Sequence, residues 1–144
     1  MIGAMPPLAY LDVRRWPRHL EAVAELARAS LVLRLAPSKR VSGVLGRLGD
    51  MQVVPPATPE QLRAARLLAG TVAWDAAHLP WHPTCLRQAV ALQRMLCRRG
   101  IAGRLHLGVA SPKEAAAHAW VTVGDDTVIG AREQERFVPL AVFV

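Results

Sequence analysis

Apolar residues recur at helical spacing through the first two thirds of the chain and at alternating spacing through the last third. Leu20, Val23, Ala27 and Leu31 form one stripe within residues 16–35, which predicts an amphipathic helix buried along that stripe and ended by Pro37. Pro6 and Pro7 ahead of it predict an extended start. Val41, Val44, Leu45 and Leu48 predict a shorter helical segment running to Gly49-Asp50. Val53-Val54-Pro55-Pro56 then reads as a linker, so residues 1–56 are expected to form an N-terminal helical region and residues 57–144 the core domain.

Thr58-Pro59-Glu60-Gln61 is a helix-start signature: a hydroxyl cap, a proline at the first helical position, and a glutamine able to reach back to the cap amide. The helix it opens carries Leu62, Ala65, Leu68, Val72 and Ala76 inward and stops before Pro80. Pro80-Trp81-His82-Pro83 is a stiff connector, and Thr84 is placed to cap a helix over residues 85–99 that closes at Arg98-Arg99-Gly100. Beyond Gly100 the period becomes two. Leu105, Leu107 and Val109 alternate with polar residues, Ala117, Ala119 and Val121 alternate with His118, Trp120 and Thr122, and Val128 and the apolar run 137–144 follow. The expected architecture is α+β, with a helical N-terminal half packed on a C-terminal antiparallel sheet.

With 144 residues, 52% of them apolar, the chain is large enough for a continuous core, and its composition excludes disordered, collagen-like and disulfide-scaffold classes. The net charge of +7, carried by sixteen arginines and two lysines, favours an anionic partner. About +4 of it falls in residues 1–58 and +3 in the rest, with no run of five basic residues and no interleaved aromatic and basic platform on the predicted strands. Nucleic acid is therefore not the expected partner; an acidic peptide fits better. No stretch approaches the ~20 apolar residues of a membrane span. Cys85 and Cys97 would lie roughly 18 Å apart on one helix, beyond disulfide reach. Two free thiols and no charged-then-apolar leader predict a cytoplasmic setting.

Cys85 falls in the first turn of its helix, where unpaired amides and the positive end of the dipole stabilise a thiolate. Cys97, late in the same helix, reads instead as a core residue. His118 stands on a strand between Ala117 and Ala119, on the face it shares with Trp120. A helix-start cysteine opposite a strand histidine is the geometry of papain-like thiol hydrolases, with Cys85 as nucleophile and His118 as general base. His78 and His82 with Cys85 lack the spacing of a zinc site, so no metal is expected. His106 reads as a surface or second-layer histidine, and Trp74 and Trp81 as core or groove wall.

Trp81 through Leu96 with its Thr84-Cys85-Leu86 centre, Arg98-Arg99-Gly100-Ile101, Leu107-Gly108-Val109 and Ala117-His118-Ala119-Trp120-Val121 occur in the order seen in one family. On these residues the chain resembles the transglutaminase-like peptidases of lasso-peptide biosynthesis, the leader-peptidase B proteins. The resemblance implies a papain/transglutaminase-like core and an ATP-assisted cysteine peptidase. Such an enzyme removes the leader of a ribosomally made precursor peptide before a separate cyclase forms the macrolactam. It also implies a separate leader-recognition protein as partner, and no metal or covalently bound cofactor.

The family's catalytic set is a cysteine, a histidine and a carboxylate about a dozen residues after the histidine, on the next strand. Here that stretch reads Ile129-Gly130-Ala131. A hairpin turning at Gly124-Asp125 sets His118 opposite Ala131 with Glu133 as its diagonal neighbour, and one turning at Asp125-Asp126 sets it opposite Glu133. Glu133 is thus the candidate carboxylate, and Asp126, near the hairpin tip, is the weaker alternative. If no carboxylate serves, the expected alternative to an enzyme is a catalytically impaired module of the same fold that binds a leader peptide or partner protein.

Overall fold

The computed structural model describes residues 15–111, 113–134 and 136–144, with residues 38, 111, 114, 115, 133 and 134 described by their main chain alone. The extended start expected at Pro6 and Pro7 lies outside the described residues. The helical half comprises α1 (Trp16–Leu35), a 3-10 turn (Ser38–Arg40), α2 (Val41–Leu45), α3 (Pro59–His78) and α4 (Cys85–Arg98). Four strands follow: β1 (Gly103–Ser111), β2 (Glu114–Val123), β3 (Asp126–Ile129) and β4 (Val138–Phe143), with a single-turn helix α5 (Ala131–Gln134) between β3 and β4. The sheet is antiparallel in the order β3-β2-β1-β4. This is the α+β arrangement that the change of period predicts.

Local chemistry sets several boundaries. Thr58 and Gln61 close the expected capping box, with Thr58 Oγ1 accepting from the Gln61 amide at 3.2 Å and Gln61 Oε1 accepting from the Thr58 amide at 3.1 Å. At α4, Thr84 occupies the cap position but its side chain makes no capping hydrogen bond. The helical segment expected over residues 41–48 ends early at Gly46, and Leu48 instead bridges to Phe143 beside β4.

Alpha4 packs on β1 and β2, α3 packs on β3, and α1 lies across α3 and α4. One apolar cluster runs from Ala22 and Leu26 of α1, through Val72 of α3 and Leu92 of α4, to Leu105, Val121 and Phe143 of the sheet. Residues on both sides of Pro55-Pro56 join it.

The buried face of α1 differs from the expected stripe. Leu20 and Leu31 are 65% and 58% exposed, while Ala22, Glu25, Leu26 and Ala29 are buried. The cause is ionic as well as steric. Small alanines let the helices approach, and the buried Glu25 carboxylate accepts from Arg94 Nε at 2.9 Å and also from Arg98 of α4. Glu21 accepts from Arg98 and Arg99, and the Arg99 hydrogen bond foremost holds its carboxyl below the usual range. On the α3 side, His19 Nδ1 lies 2.9 Å from the buried Asp75 carboxylate, and Arg18 Nε donates to Thr71 Oγ1 at 2.9 Å. Ion pairs and the apolar face of Ala22, Leu26 and Ala29 together dock α1, and Leu20 and Leu31 of the expected stripe face outward.

One buried titratable group gives the fold a pH signature. His106 is not at the surface: it is buried, stacked on its cross-strand partner Trp120 at 5.4 Å, and hydrogen-bonded through Nε2 to Thr122 Oγ1 at 2.9 Å. Burial, with the Arg104 charge adding to it, pushes its pKa down to about 4. The folded protein therefore holds His106 neutral, whereas the unfolded chain protonates it near 6.5. Its contribution is intact above pH 6.5 and is lost as pH falls toward 4, by roughly 3 kcal/mol at most. Urea midpoints measured from pH 7 to 4 should fall more steeply for the wild type than for His106→Gln. Parallel curves would show that His106 is protonated without penalty in the fold.

Candidate active site

Alpha4 brings Cys85 to the sheet. The connector ahead of it is braced by Gln88, whose Nε2 donates to the Pro83 carbonyl at 2.9 Å. Because side chains on a helix lean toward its N-terminus, a residue three positions after Cys85 carries its amide back to the level of the cysteine. No side-chain cap covers the amides at the start of α4, so they and the helix dipole are available to a negative charge on Cys85. Cys85 is half-buried.

His118 stands on β2 opposite Gly108 of β1. Beta3 pairs with β2 only over Val121–Val123, so the outer edge of β2 at His118 is not covered by a strand. The chain turns there. Gly130 has φ +83, and a β carbon on it would sit 2.8 Å from Trp120 Cβ and 2.9 Å from the Ala119 carbonyl oxygen, so only glycine can pass this close to β2. The turn aims the Gly130 carbonyl at the imidazole, and His118 Nε2 donates to it at 2.9 Å. A carbonyl can only accept, so Nε2 carries the proton and, in the neutral ring, Nδ1 is the basic nitrogen. Trp120 stacks on the ring at 5.9 Å and Phe137 tilts against it at 5.0 Å, leaving His118 buried.

Cys85 and His118 line one open cleft of about 500 Å³. Ala69, Gly70 and Ala73 of α3 line it, as do Val128 and Ile129 at the end of β3. Gln88, Gly130 and Arg132 also border it. At this cleft a thiol, an imidazole with a fixed tautomer and the start of a helix converge, which is what acyl transfer through a thioester requires.

The third position differs from the expectation in its backbone. The hairpin turns at Gly124-Asp125, with Val123 opposite Asp126, but β3 ends at Ile129 and Ala131–Gln134 is helical. Glu133 is therefore not a strand neighbour of His118, facing or diagonal. It stands on α5, which packs against β2, and its side chain lies outside the described residues. Asp126 is engaged elsewhere, accepting from Arg66 Nη2 at 2.7 Å.

Cys97 is exposed rather than part of the core: it lies in the last turn of α4, on the solvent side of the helix. Trp81 is exposed, and Trp74 is half-buried, stacked on His78 at 3.9 Å. Among the described residues no three His, Cys, Asp or Glu side chains converge as a metal site, and no helix is long and apolar enough to cross a membrane.

The periodicity of the chain did not expose Gln88 or the Gly130 carbonyl as site groups. The first was legible as a polar residue one helical turn beyond Cys85; the second, a main-chain oxygen, has no signature beyond a glycine ending a strand.

No curated protein and no solved structure matches the chain at a significant level. The family model of the transglutaminase-like superfamily matches residues 27–142, from within α1 to the end of the sheet. With most of its length matched, and with a helix-start cysteine and a strand histidine in one cleft, the chain belongs to the transglutaminase-like superfamily.

Proposed function

We propose that this protein is a cysteine peptidase that removes the leader from a ribosomally synthesised lasso precursor peptide before macrolactam formation. The observation that carries the peptidase reading is the shared cleft of Cys85 and His118 at the uncapped start of α4. The superfamily includes cysteine peptidases, and the lasso substrate is supported by the sequence resemblance around Cys85 and His118.

In the reaction, His118 Nδ1 takes the proton of the Cys85 thiol, and the thiolate attacks the scissile carbonyl. The oxyanion is met by the Cys85 main-chain amide and by the second N–H of the Gln88 side chain, whose first is held by Pro83. His118 then protonates the leaving amine, which departs as the new N-terminus of the core peptide. Water, deprotonated by the same imidazole, hydrolyses the thioester and releases the leader with a free carboxylate. The Gly130 carbonyl, together with Glu133 as the proposed carboxylate, holds the imidazole for these transfers.

The proposed partners are the precursor peptide, a separate leader-recognition protein, and the cyclase that takes the released core. ATP assistance rests on the resemblance alone: the chain contains no G-x-x-x-x-G-K phosphate loop, and none of these steps uses a nucleotide.

The test is incubation of the purified chain and a recognition protein with candidate precursor peptides, followed by mass spectrometry. Two fragments whose masses sum to the precursor plus one water are expected from the wild type. Peptide binding without any cleavage would overturn the peptidase reading in favour of a binding module.

A further inference from the structure

Gly70 lies in the interior of α3, where glycine is, after proline, the least favourable residue, and alanine the most favourable. Nothing in the fold accounts for it. It is absent from the residues with positive φ, so its backbone conformation does not require glycine. A β carbon built on it would meet no atom within 4 Å, so packing does not forbid a side chain either. What Gly70 does border is the cleft of Cys85 and His118, between Ala69 and Ala73. The missing side chain leaves space open on the cleft side of the helix.

We infer that Gly70 forms the floor of a subsite that receives a bulky apolar side chain of the substrate peptide, close to the scissile carbonyl. This rests on the reading of Cys85 as the nucleophile. The chemistry around Gly70 sets the class of side chain. Ala69, Ala73, Val128 and Ile129 give the cleft its apolar lining, while Gln88, His118 and Arg132 give it its polar one, so the α3 surface beside Gly70 rewards contact with an apolar group. Arg66, the nearest charge on the α3 wall, is paired with Asp126. A leucine- or phenylalanine-sized group both fills the opening and buries apolar surface against it.

The inference is tested with N-acetyl dipeptidyl chloromethyl ketones carrying Gly, Ala, Leu or Phe at either residue, which alkylate a cysteine by displacement of chloride. All variants carry Cys97→Ala, which leaves Cys85 as the single thiol, and the rate of its modification, followed by intact mass, is divided by the iodoacetamide rate of the same protein. The wild type should react at least tenfold faster when Leu or Phe occupies one of the two positions than when Gly does. Gly70→Leu should reduce that preference to twofold or less. Gly70→Ala should reduce it partly while raising the melting temperature by a few degrees, which keeps the test valid if the leucine variant folds poorly.

A flat wild-type series, or a preference that survives in both variants, overturns the subsite and leaves the nucleophile in place. Equal loss of reaction with every probe, glycine included, in Gly70→Ala also overturns it, because the space would then hold substrate backbone. Cys85 inert to iodoacetamide and to all probes at neutral pH would overturn the nucleophile and the subsite with it.

Discussion

Cys85→Ala eliminates peptide cleavage while Cys97→Ala retains it. The expected loss at Cys85 is roughly 10⁴-fold or more, because removal of a covalent nucleophile leaves only what binding and the oxyanion donors supply. The two cysteines lie on one helix in contrasting settings, so each controls for the other. Cys85 is half-buried at the uncapped start of α4 and lines the cleft, whereas Cys97 is exposed in the last turn, away from it. Losing one sulfur from a half-buried position should cost about 1 kcal/mol, and the surface change at Cys97 within about 0.5 kcal/mol, so both variants remain folded at assay temperature. Initial rates by mass spectrometry, with thermal melts of both variants, decide the matter. Full activity in Cys85→Ala, or equal loss in the two, would remove Cys85 from the mechanism.

The contrast between the two cysteines also shows what the sequence made legible. A thiol one residue after a threonine cap announces a helix start, and that placement carries its own electrostatics. The Thr58-Gln61 box and the bounds of α1 were legible for the same reason, since caps and prolines act within a few residues. Which face of α1 is buried was not. Glu25 is drawn inward by arginines about 70 residues later, on α4, and a pairing over that distance has no period in the sequence. Periodicity therefore selected the apolar stripe of Leu20 and Leu31, which faces outward. The burial of His106 was missed because the face of β1 and β2 expected to be polar is itself covered. Trp120 stacks between His106 and His118 there, and Arg104 donates to the Met51 carbonyl.

The same limit governed the placement of Glu133, the expected carboxylate. Hairpin register extrapolated from Gly124-Asp125 assumes that β3 continues, and the assumption fails at Gly130, where a left-handed residue takes the chain off the sheet. The sequence marks that point only by a glycine. Yet the turn is what supplies His118 with a partner, because it aims a carbonyl along the open edge of β2. Main-chain conformation thus contributes to the site as directly as the side chains of Cys85 and His118 do.

That contribution can be measured through Gly130→Ala. The substitution forces a residue with a β carbon into φ +83 and places that carbon 2.8 Å from Trp120 Cβ and 2.9 Å from the Ala119 carbonyl oxygen, distances that only movement of the main chain can relieve. Strain of this kind costs about 1–3 kcal/mol, which should appear as a melting temperature lower by several degrees. The movement also draws the Gly130 carbonyl away from His118 Nε2, releasing the tautomer that leaves Nδ1 basic. A misplacement of about 1 Å in a catalytic group can cost on the order of 100-fold, so turnover of the folded variant should fall roughly 10- to 100-fold. Measuring kcat well below the variant's melting transition separates this loss from simple unfolding. Glu133→Gln supplies the comparison, since it removes the carboxylate and leaves the turn at Gly130 in place. If Gly130→Ala turns over at the wild-type rate while Glu133→Gln does not, the carboxylate alone holds the imidazole and the carbonyl contact is incidental.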